Sequence, residues 1–289
     1  MNLIDCHTHT QFSVDSEADI NKMVKRAEEL ELAAYAITDH CECNFWYEPT
    51  HYGNLSSIRF FNENEEHCCN FQNDFENSIS AVTKLKEEYS DKLNLICGTE
   101  LGQATHDIEI AEKIVSDKRL DFVIGSVHQL RNTEDFAFLD YADFTDDELY
   151  DLLWQYFNEI YELCQWGKFD ILAHLTYTLR YMQGIGGRNL SIKRFDEIIA
   201  ESFRLLIQKG KGIEINTSGL RQAYGFTFPK AEYIKLYHDL GGEILSIGSD
   251  AHTVEDLGKG IADGAQIALQ CGFRYLCYFK NREPVFVRI

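Results

Sequence analysis

The stretch Leu3-Ile4-Asp5-Cys6-His7-Thr8-His9 ends a short apolar run with two alternating histidines, and it decides the fold prediction. Residues i and i+2 of a strand point to the same side, so His7 and His9 can bind one cation together. A similar pair, Asp250 and His252, follows the last apolar run before the C-terminal tail. If the sheet closes into a barrel, the first and last strands become neighbours and the four side chains converge. In an open sheet they would usually lie far apart.

Short apolar runs alternate with amphipathic segments along the chain. Each run is apolar on both faces, as in a parallel strand buried on both sides. The predicted strands are 3–6, 33–38, 93–99, 122–127, 171–173, 213–216 and 243–248. Helices are predicted at 20–30, 149–163, about 191–210, 229–239 and 255–270, and the capping-box pattern from Thr145 to Glu148 opens the second. The alternation predicts an α/β protein with a parallel sheet, open or closed, followed by a hairpin in residues 275–289.

Composition excludes several classes of protein. The chain has 289 residues, of which 45% are apolar and 26% charged, as is typical of a globular protein, and this length allows one large domain or two ordinary ones. No stretch approaches the ~18 consecutive apolar residues of a membrane span. The first residues lack the basic leader of a signal peptide, and the nine cysteines form no C-x-x-C pair. We therefore expect a cytoplasmic protein with reduced thiols and no membrane partner.

The charge balance narrows the choice of partners. The chain has 47 acidic and 27 basic residues, a net charge of −20. So acidic a protein repels a phosphate backbone, and we expect no nucleic-acid partner. An anionic substrate would need a local source of positive charge, such as metal ions or a few arginines. The excess could equally serve only solubility.

Histidines stand at the carboxyl ends of most predicted strands, where barrel active sites are built. A lone histidine there is more often structural, but six of the ten follow the pattern, accompanied by carboxylates. The set consists of His7, His9, His40, His128, His174 and His252, with Asp15, Glu100 and Asp250. We expect the other four, His51, His67, His106 and His238, to be structural or surface residues, with His106 the first exception to consider. Cys41 and Cys43, beside His40, are alternative soft metal ligands.

These motifs resemble, in their order along the chain, those of the polymerase and histidinol phosphatase (PHP) superfamily. They are His7-Thr8-His9, Thr38-Asp39-His40, Gly98-Thr99-Glu100, His128, His174 and Ser249-Asp250-Ala251-His252. The resemblance covers nearly the full chain and implies one domain over residues 1–289, a distorted seven-stranded (β/α) barrel that holds up to three divalent metal ions. It implies one metal on His7, His9, Glu100 and Asp250, a second on Glu100, His128 and His174, and a third on Asp15, His40 and His252. The ligand at position 15 is an aspartate, and in this the chain resembles the histidinol phosphatase branch of the superfamily.

The ligand chemistry agrees with this reading. Mixed imidazole and carboxylate donors suit zinc, manganese, iron or cobalt better than magnesium. Divalent ions would attract a phosphate despite the acidic bulk, and they lower the pKa of a coordinated water to about 7. Asp39 could orient a ligand imidazole or serve only as a cap or ion-pair partner.

Two further segments resemble the histidinol phosphatases, residues 174–181 and 214–221. The resemblance implies Arg180, Asn216 and Ser218 as substrate contacts, and arginine suits the role because its planar fork binds phosphate oxygens in pairs. Arg131 is a further candidate. The competing interpretation is a surface arginine paired with a carboxylate.

The insertion 41–73 is rich in aromatic and acidic residues, and it is either a lid over the site or a packed loop. Glu42 and Glu48 within it could receive a cationic amine or imidazole.

The resemblance implies a metal-dependent phosphomonoesterase that acts on a small phosphate ester. The expected reaction is hydrolysis of L-histidinol phosphate to L-histidinol and phosphate, in histidine biosynthesis. Glu100, Asp250 and His252 are the expected catalytic residues, and the leaving alkoxide would take its proton from Asp250, His252 or a coordinated water. The alternative is a PHP-type phosphoesterase acting on a nucleotide or another small phosphate ester. A catalytically silent metal-binding module is disfavoured because the ligand set is complete.

Overall fold

Parallel strands and helices alternate along the chain, as predicted. The structure is a computed structural model and describes residues 2–44 and 74–289. Its strands are β1 (Ile4–Asp5), β2 (Ala34–Ile37), β3 (His40–Glu42), β4 (Leu95–Gly102), β5 (Phe122–Ser126), β6 (Ile171–Leu172), β7 (Gly212–Asn216), β8 (Leu245–Gly248), β9 (Tyr275–Lys280) and β10 (Glu283–Arg288). Its α-helices are α1 (Ile20–Glu29), α2 (Glu76–Glu88), α3 (Ile108–Val115), α4 (Asp146–Trp166), α5 (Asp196–Gln208), α6 (Ala231–Asp239) and α7 (Ile261–Gln270).

The sheet forms a nearly closed seven-stranded barrel. Its strands run parallel in the order β1-β2-β4-β5-β6-β7-β8, and β3 continues the line of β2 along β4. The ends of the sheet meet where Cys6 N donates to Ile247 O at 2.9 Å and Asp250 N donates to His7 O at 2.8 Å. A Cβ added at Gly248 would lie 2.2 Å from the Cβ of His7, so glycine permits this close approach. The predicted barrel is confirmed, and the open sheet is wrong.

The strands owe their composition to burial on both faces. All eight residues of β4 are buried, as is every residue of β2, β5, β7 and β8. One side of each strand faces the barrel interior and the other faces the helices. Because both faces are buried, the runs carry no alternation of apolar and polar residues.

Five of the seven α-helices in the described residues lie where the apolar periodicity predicts a helix. At the start of α4, Glu148 N donates to Thr145 Oγ1 at 3.3 Å and Thr145 N donates to Glu148 Oε2 at 2.8 Å, which completes the predicted capping box. Helices α2 and α3 were not predicted. Helix α3 has only eight residues and buries Ala111 and Ile114, too short a pattern to stand out. Helix α7 begins later than predicted, at Ile261.

The C-terminal hairpin is confirmed as the antiparallel pair β9 and β10. Its turn residues Asn281 and Arg282 both have positive φ, 50° and 67°. The hairpin packs at the amino end of the barrel, where the rings of Phe279 and Phe122 stack at 4.9 Å. Arg282 also pairs there with the buried Asp170, which directly precedes β6. The opposite end of the barrel, formed by the carboxyl ends of the strands, is therefore not covered by the hairpin and carries the candidate site.

Two further expectations concern the candidate lid and membrane-spanning helices. The candidate lid 41–73 lies outside the described residues except for its first four, and so does Glu48. In residues 2–44 and 74–289, no helix is both long and apolar enough to cross a membrane.

Candidate metal centre

The six histidines at the strand ends lie together at the carboxyl end of the barrel. The ring of His9 stacks on those of both His40 and His252, with centroid distances of 4.3 and 4.2 Å. On the other side of the group, the rings of His128 and His174 lie 5.2 Å apart. Barrel closure therefore brings residues from the first and last strands into direct contact.

Glu100 lies at the centre of this group and is only 1% exposed. Its Oε2 lies 3.0 Å from Nε2 of His7 and 3.4 Å from Nε2 of His9. Its Oε1 lies 3.1 Å from Nε2 of His128 and 2.8 Å from Nε2 of His174. One carboxylate thus faces both predicted metal positions, which is the arrangement that a bridging ligand requires.

The third predicted position lies on the outer side of the group. Nε2 of His252 is 3.1 Å from an oxygen of Asp15, and Nε2 of His40 is 3.6 Å from the other oxygen. The side chains of His252 and Asp15 are 26% and 54% exposed, whereas His9 behind them is fully buried. This position therefore faces the mouth of the barrel.

Asp250 connects the histidines to the predicted substrate contacts. Its Oδ1 lies 3.4 Å from Nε2 of His9, and its Oδ2 accepts hydrogen bonds from Arg180 Nη2 at 3.1 Å and Asn216 Nδ2 at 3.3 Å. Arg180 Nη2 also donates to Ser218 Oγ at 2.7 Å. The predicted substrate contacts Arg180, Asn216 and Ser218 thus lie beside the predicted ligands.

Arg180 is held in place by aromatic side chains. Its guanidinium carbon lies 5.2 Å from the ring centroid of Tyr177, 5.9 Å from that of Tyr181 and 5.3 Å from that of Phe228. Burial acts to lower the pKa of the guanidinium, but Asp250, Tyr181 and Tyr177 together outweigh it and raise the pKa still further. The result is a permanent positive charge with a restricted orientation next to the cluster.

Arg131 is placed differently from the other candidates. Its guanidinium donates to Thr105 O at 2.9 Å and to His106 O at 3.4 Å, and the residue is exposed. The structure does not bring it to the cluster, because these carbonyls hold it on the outside of the loop after β4. Its role in substrate binding stays a prediction.

Glu42 belongs to the cluster, although the sequence analysis considered it only as a possible partner of a substrate cation. Its Oε1 lies 3.2 Å from Nδ1 of His40 and 3.1 Å from Nδ1 of His128. Burial acts to raise the pKa of Glu42, but His128 and His40 outweigh it and lower the pKa to about 2. The i, i+2 spacing from His40 on β3 was the available signal, since it places both side chains on one side of the strand.

Glu214 was missed by the sequence prediction. This side chain on β7 is 1% exposed, its Oε1 lies 2.7 Å from Nδ1 of His7, and its Oε2 accepts a hydrogen bond from His174 N at 3.0 Å. Carboxylates in this position orient metal-binding imidazoles. The signal was a glutamate between two apolar residues of a buried strand, which needs a partner because an unpaired buried charge is costly.

Asp39 reaches the cluster through a serine. Its carboxylate accepts hydrogen bonds from Thr10 N at 2.6 Å, Ser13 Oγ at 2.8 Å and Ser78 Oγ at 2.7 Å. Ser13 Oγ in turn lies 3.0 Å from Nδ1 of His9. Since the serine hydroxyl donates to Asp39, its oxygen is left to accept a hydrogen bond from the imidazole, so Asp39 orients His9 indirectly.

His9 provides the test of whether a cation fits here. Burial and the neighbouring His252 and His40 lower the pKa of His9 to about 3, so the ring is neutral. Because Nδ1 donates to Ser13, Nε2 carries a lone pair. Among the described residues, Nε2 has no hydrogen-bond partner. It faces an oxygen of Glu100 and an oxygen of Asp250, each at 3.4 Å. Three acceptors facing one another repel unless a cation lies between them. The donor set therefore fits a divalent transition metal.

The charges of the other groups follow from the same contacts. Burial acts to lower the pKa of His128, but Glu42 and Glu100 outweigh it and raise the pKa to about 10. Burial also acts to raise the pKa of Glu100, yet His7 and His128 hold it well below its usual range. The carboxylates are ionised, as metal ligands must be.

A family model described as the PHP domain matches residues 5–218. The chain belongs to the PHP domain family. The predicted family membership is therefore confirmed, and the match includes every predicted ligand except Asp250 and His252.

Several relatives of this PHP chain align with nearly its whole length. A protein of Thermotoga maritima named "Probable histidinol-phosphatase" is 26% identical over 277 residues, which cover 95% of this chain and 94% of the relative. The histidinol-phosphatase of Lactococcus lactis subsp. lactis is 25% identical over 303 residues, which cover 98% and 96%. A histidinol phosphate phosphatase structure from Lactococcus lactis subsp. lactis, in complex with zinc, L-histidinol and phosphate, matches with a TM-score of 0.77 at 23% identity and covers 98% of this chain and 99% of that one. The likeness confirms the predicted PHP-type barrel.

The remaining histidines and cysteines lie outside the cluster or outside the described residues. His106 is buried, with Nε2 2.7 Å from Glu159 Oε2, and His238 lies against Phe273. His51 and His67 fall in the segment that the structure does not describe. Among the described residues, no group of close potential metal ligands includes Cys41 or Cys43, so nothing in this part of the chain supports them as ligands.

Proposed function

We propose that this PHP protein is a metal-dependent phosphomonoesterase that hydrolyses L-histidinol phosphate to L-histidinol and phosphate. The observation that carries the proposal is the contact of Arg180 with Asp250, 3.1 Å, because it joins a phosphate-binding cation to a buried cluster suited to metal ions. The names of the relatives support the choice of substrate. The reaction would place the protein in histidine biosynthesis.

We assign the ligands in three groups, two of which share a residue. His7, His9, Glu100 and Asp250 would hold one ion, Glu100, His128 and His174 a second, and Asp15, His40 and His252 a third. Divalent ions such as zinc, manganese, iron or cobalt supply Lewis-acid chemistry, since they neutralise phosphate charge and make water acidic enough to ionise near neutral pH. Glu100 is the residue shared by two groups, and so we assign it the bridging role.

The chain's own residues bind and orient the ester. Arg180 offers its planar guanidinium to the phosphate oxygens, and Ser218 and Asp250 fix its orientation by accepting hydrogen bonds from Nη2. Asn216 Nδ2, which is fully buried and directed at Asp250, adds a further donor. The leaving alkoxide takes a proton, and we assign its delivery to Asp250 or His252: the ionised Asp250 would pass on the proton that the attacking water releases, whereas His252 could supply one directly.

The test pairs metal analysis with phosphate release. The purified protein is expected to contain divalent transition metal and to release phosphate from L-histidinol phosphate much faster than from a panel of dinucleotides. Removal of metal should abolish turnover, and His128→Ala should lower kcat at least about a hundredfold because it removes a ligand.

A matched control is His238→Ala, which removes a half-buried histidine remote from the cluster. It should retain turnover within about twofold. Full activity in the metal-free protein would refute the mechanism, and preference for dinucleotides would refute the substrate.

A further inference from the structure

Asp135 is a partly buried carboxylate on the connection between β5 and α4, beyond the predicted ligands. An antiparallel bridge between Gln129 and Asp135 folds this connection back on itself. Phe136 N donates to His128 O at 3.1 Å, which fixes the returning segment against the strand end that carries a predicted ligand. Asp135 is therefore held next to the cluster, yet among the described residues it belongs to none of the groups of potential metal ligands.

Tyr177 separates Asp135 from the cluster. The centroid of its ring lies 5.0 Å from those of His128 and His174. Its hydroxyl donates to Asp135 Oδ1 at 3.4 Å and lies 2.9 Å from the hydroxyl of Tyr181. The carboxylate thus contacts the hydroxyl end of a ring whose body contacts the predicted ligands.

The same tyrosine also contacts Arg180, whose guanidinium carbon lies 5.2 Å from its ring centroid. A positive group and a negative group therefore contact one aromatic side chain, the first at the ring and the second at the hydroxyl. A molecule that carries a phosphate at one end and a cationic nitrogen several bonds away matches this arrangement of charges.

Within the described part of the chain, Asp135 forms no direct ion pair with a basic side chain, and the nearest effect of this kind comes from His128. Asp135 Oδ1 accepts a hydrogen bond from Ala137 N at 2.7 Å in addition to that from Tyr177. Burial raises the pKa of Asp135 to about 6, although His128 opposes the change and Glu42 adds to it. A bound cation would supply the stabilisation that the protein itself does not provide.

We propose that Asp135, together with the hydroxyls of Tyr177 and Tyr181, binds the cationic nitrogen of the alcohol portion of the substrate. Asp135 is then a specificity-determining residue that favours phosphates of amino or imidazole alcohols over phosphates of neutral alcohols. The inference rests on the proposed function and deepens it, since it names the group that recognises histidinol rather than phosphate.

The experiment compares two substrates in the metal-loaded enzyme, L-histidinol phosphate and phenyl phosphate, whose alcohol carries no charge. In Asp135→Asn, kcat/KM for L-histidinol phosphate should fall by about ten- to a hundredfold more than kcat/KM for phenyl phosphate, mainly through KM, because a hydrogen-bonded charge contributes about that much to binding. Tyr177→Phe, which keeps the ring and removes only the hydroxyl, should shift the ratio in the same direction by a smaller factor.

Asp143→Asn is the matched control, since it makes the same change of charge at an exposed position on the same connection. Its ratio should stay within about twofold of the wild type, and the metal content of all variants should be equal. An unchanged ratio in both Asp135→Asn and Tyr177→Phe would overturn the subsite and leave the phosphatase proposal intact. A wild type that hydrolyses phenyl phosphate but not L-histidinol phosphate would instead refute the proposed function, and the subsite with it.

Discussion

Glu214 Oε1 lies 2.7 Å from Nδ1 of His7, and both side chains are almost completely buried. The opposite nitrogen of the same ring, Nε2, lies 3.0 Å from Glu100. Burial acts to lower the pKa of His7, but the two carboxylates outweigh it and raise the pKa well above its usual range. Glu214 therefore fixes the imidazole so that Nε2 is directed into the proposed metal site.

Replacing Glu214 should weaken metal binding more than it weakens the fold. Glu214→Gln keeps the size of the side chain but removes the charge that orients His7, and we expect metal affinity to fall by about ten- to a hundredfold. Competition with a chromophoric chelator measures the effect. Glu243→Gln, which changes an exposed glutamate two residues before β8, is the control. Equal affinities for both variants would contradict the role of Glu214.

Arg180 should contribute to phosphate binding through its shape as well as its charge. Arg180→Lys keeps the positive charge but loses the paired donors, so the inhibition constant of inorganic phosphate should rise by about tenfold or more. Product-inhibition kinetics give this constant directly. Arg204→Lys on the exposed face of α5 should leave it unchanged. A phosphate constant that is the same in Arg180→Lys and wild type would show that Arg180 does not bind phosphate.

The hairpin anchor at the amino end of the barrel should contribute to stability. Asp170 is 1% exposed, pairs with Arg282 and with Lys211 at 3.4 Å, and accepts a hydrogen bond from Val123 N at 2.8 Å. Asp170→Asn leaves two cations without their partner, which should lower the free energy of unfolding by about 3 kcal/mol.

Denaturant unfolding of the metal-free protein measures this loss. The control Asp239→Asn breaks an exposed pair with Lys235 and should cost less than about 1 kcal/mol. Similar losses in the two variants would show that the buried pair has no special role in holding the hairpin.

The pKa of Asp135 predicts a pH-dependent contribution to stability. Burial raises this pKa from 3.8 to about 6, so between these values the folded chain holds a proton that the unfolded chain has released. Stability from this group is therefore present below about pH 4 and is lost as the pH rises through about 6.

Thermal melts of the metal-free protein from pH 4 to 7 test this contribution. The midpoint of the wild type should fall relative to that of Asp135→Asn as the pH rises, because the variant cannot lose the proton. The exposed control Asp143→Asn should follow the wild-type curve. A constant difference between wild type and Asp135→Asn over this range would be evidence against an elevated pKa.

Local pattern was sufficient for much of the fold. The predicted strands and the capping box at Thr145 depend on residues that are close in sequence, and they agree with the structure. Helices α2 and α3 were not predicted because each has few apolar residues at helical spacing. Glu214 was missed for another reason. A single carboxylate in a buried strand does not identify its partner, and that partner, His7, lies on the other side of the barrel seam.

The sequence by itself determined which segments are strands, that they are parallel, and that imidazole and carboxylate side chains stand at their carboxyl ends. These properties follow from periodicity and burial, which neighbouring residues encode. Only the tertiary structure decided that β1 meets β8, that Asp250 contacts both His9 and Arg180, and that Asp135 faces Tyr177. Distances between residues remote in sequence depend on how the sheet closes, and the closure is a property of the whole barrel rather than of any one segment.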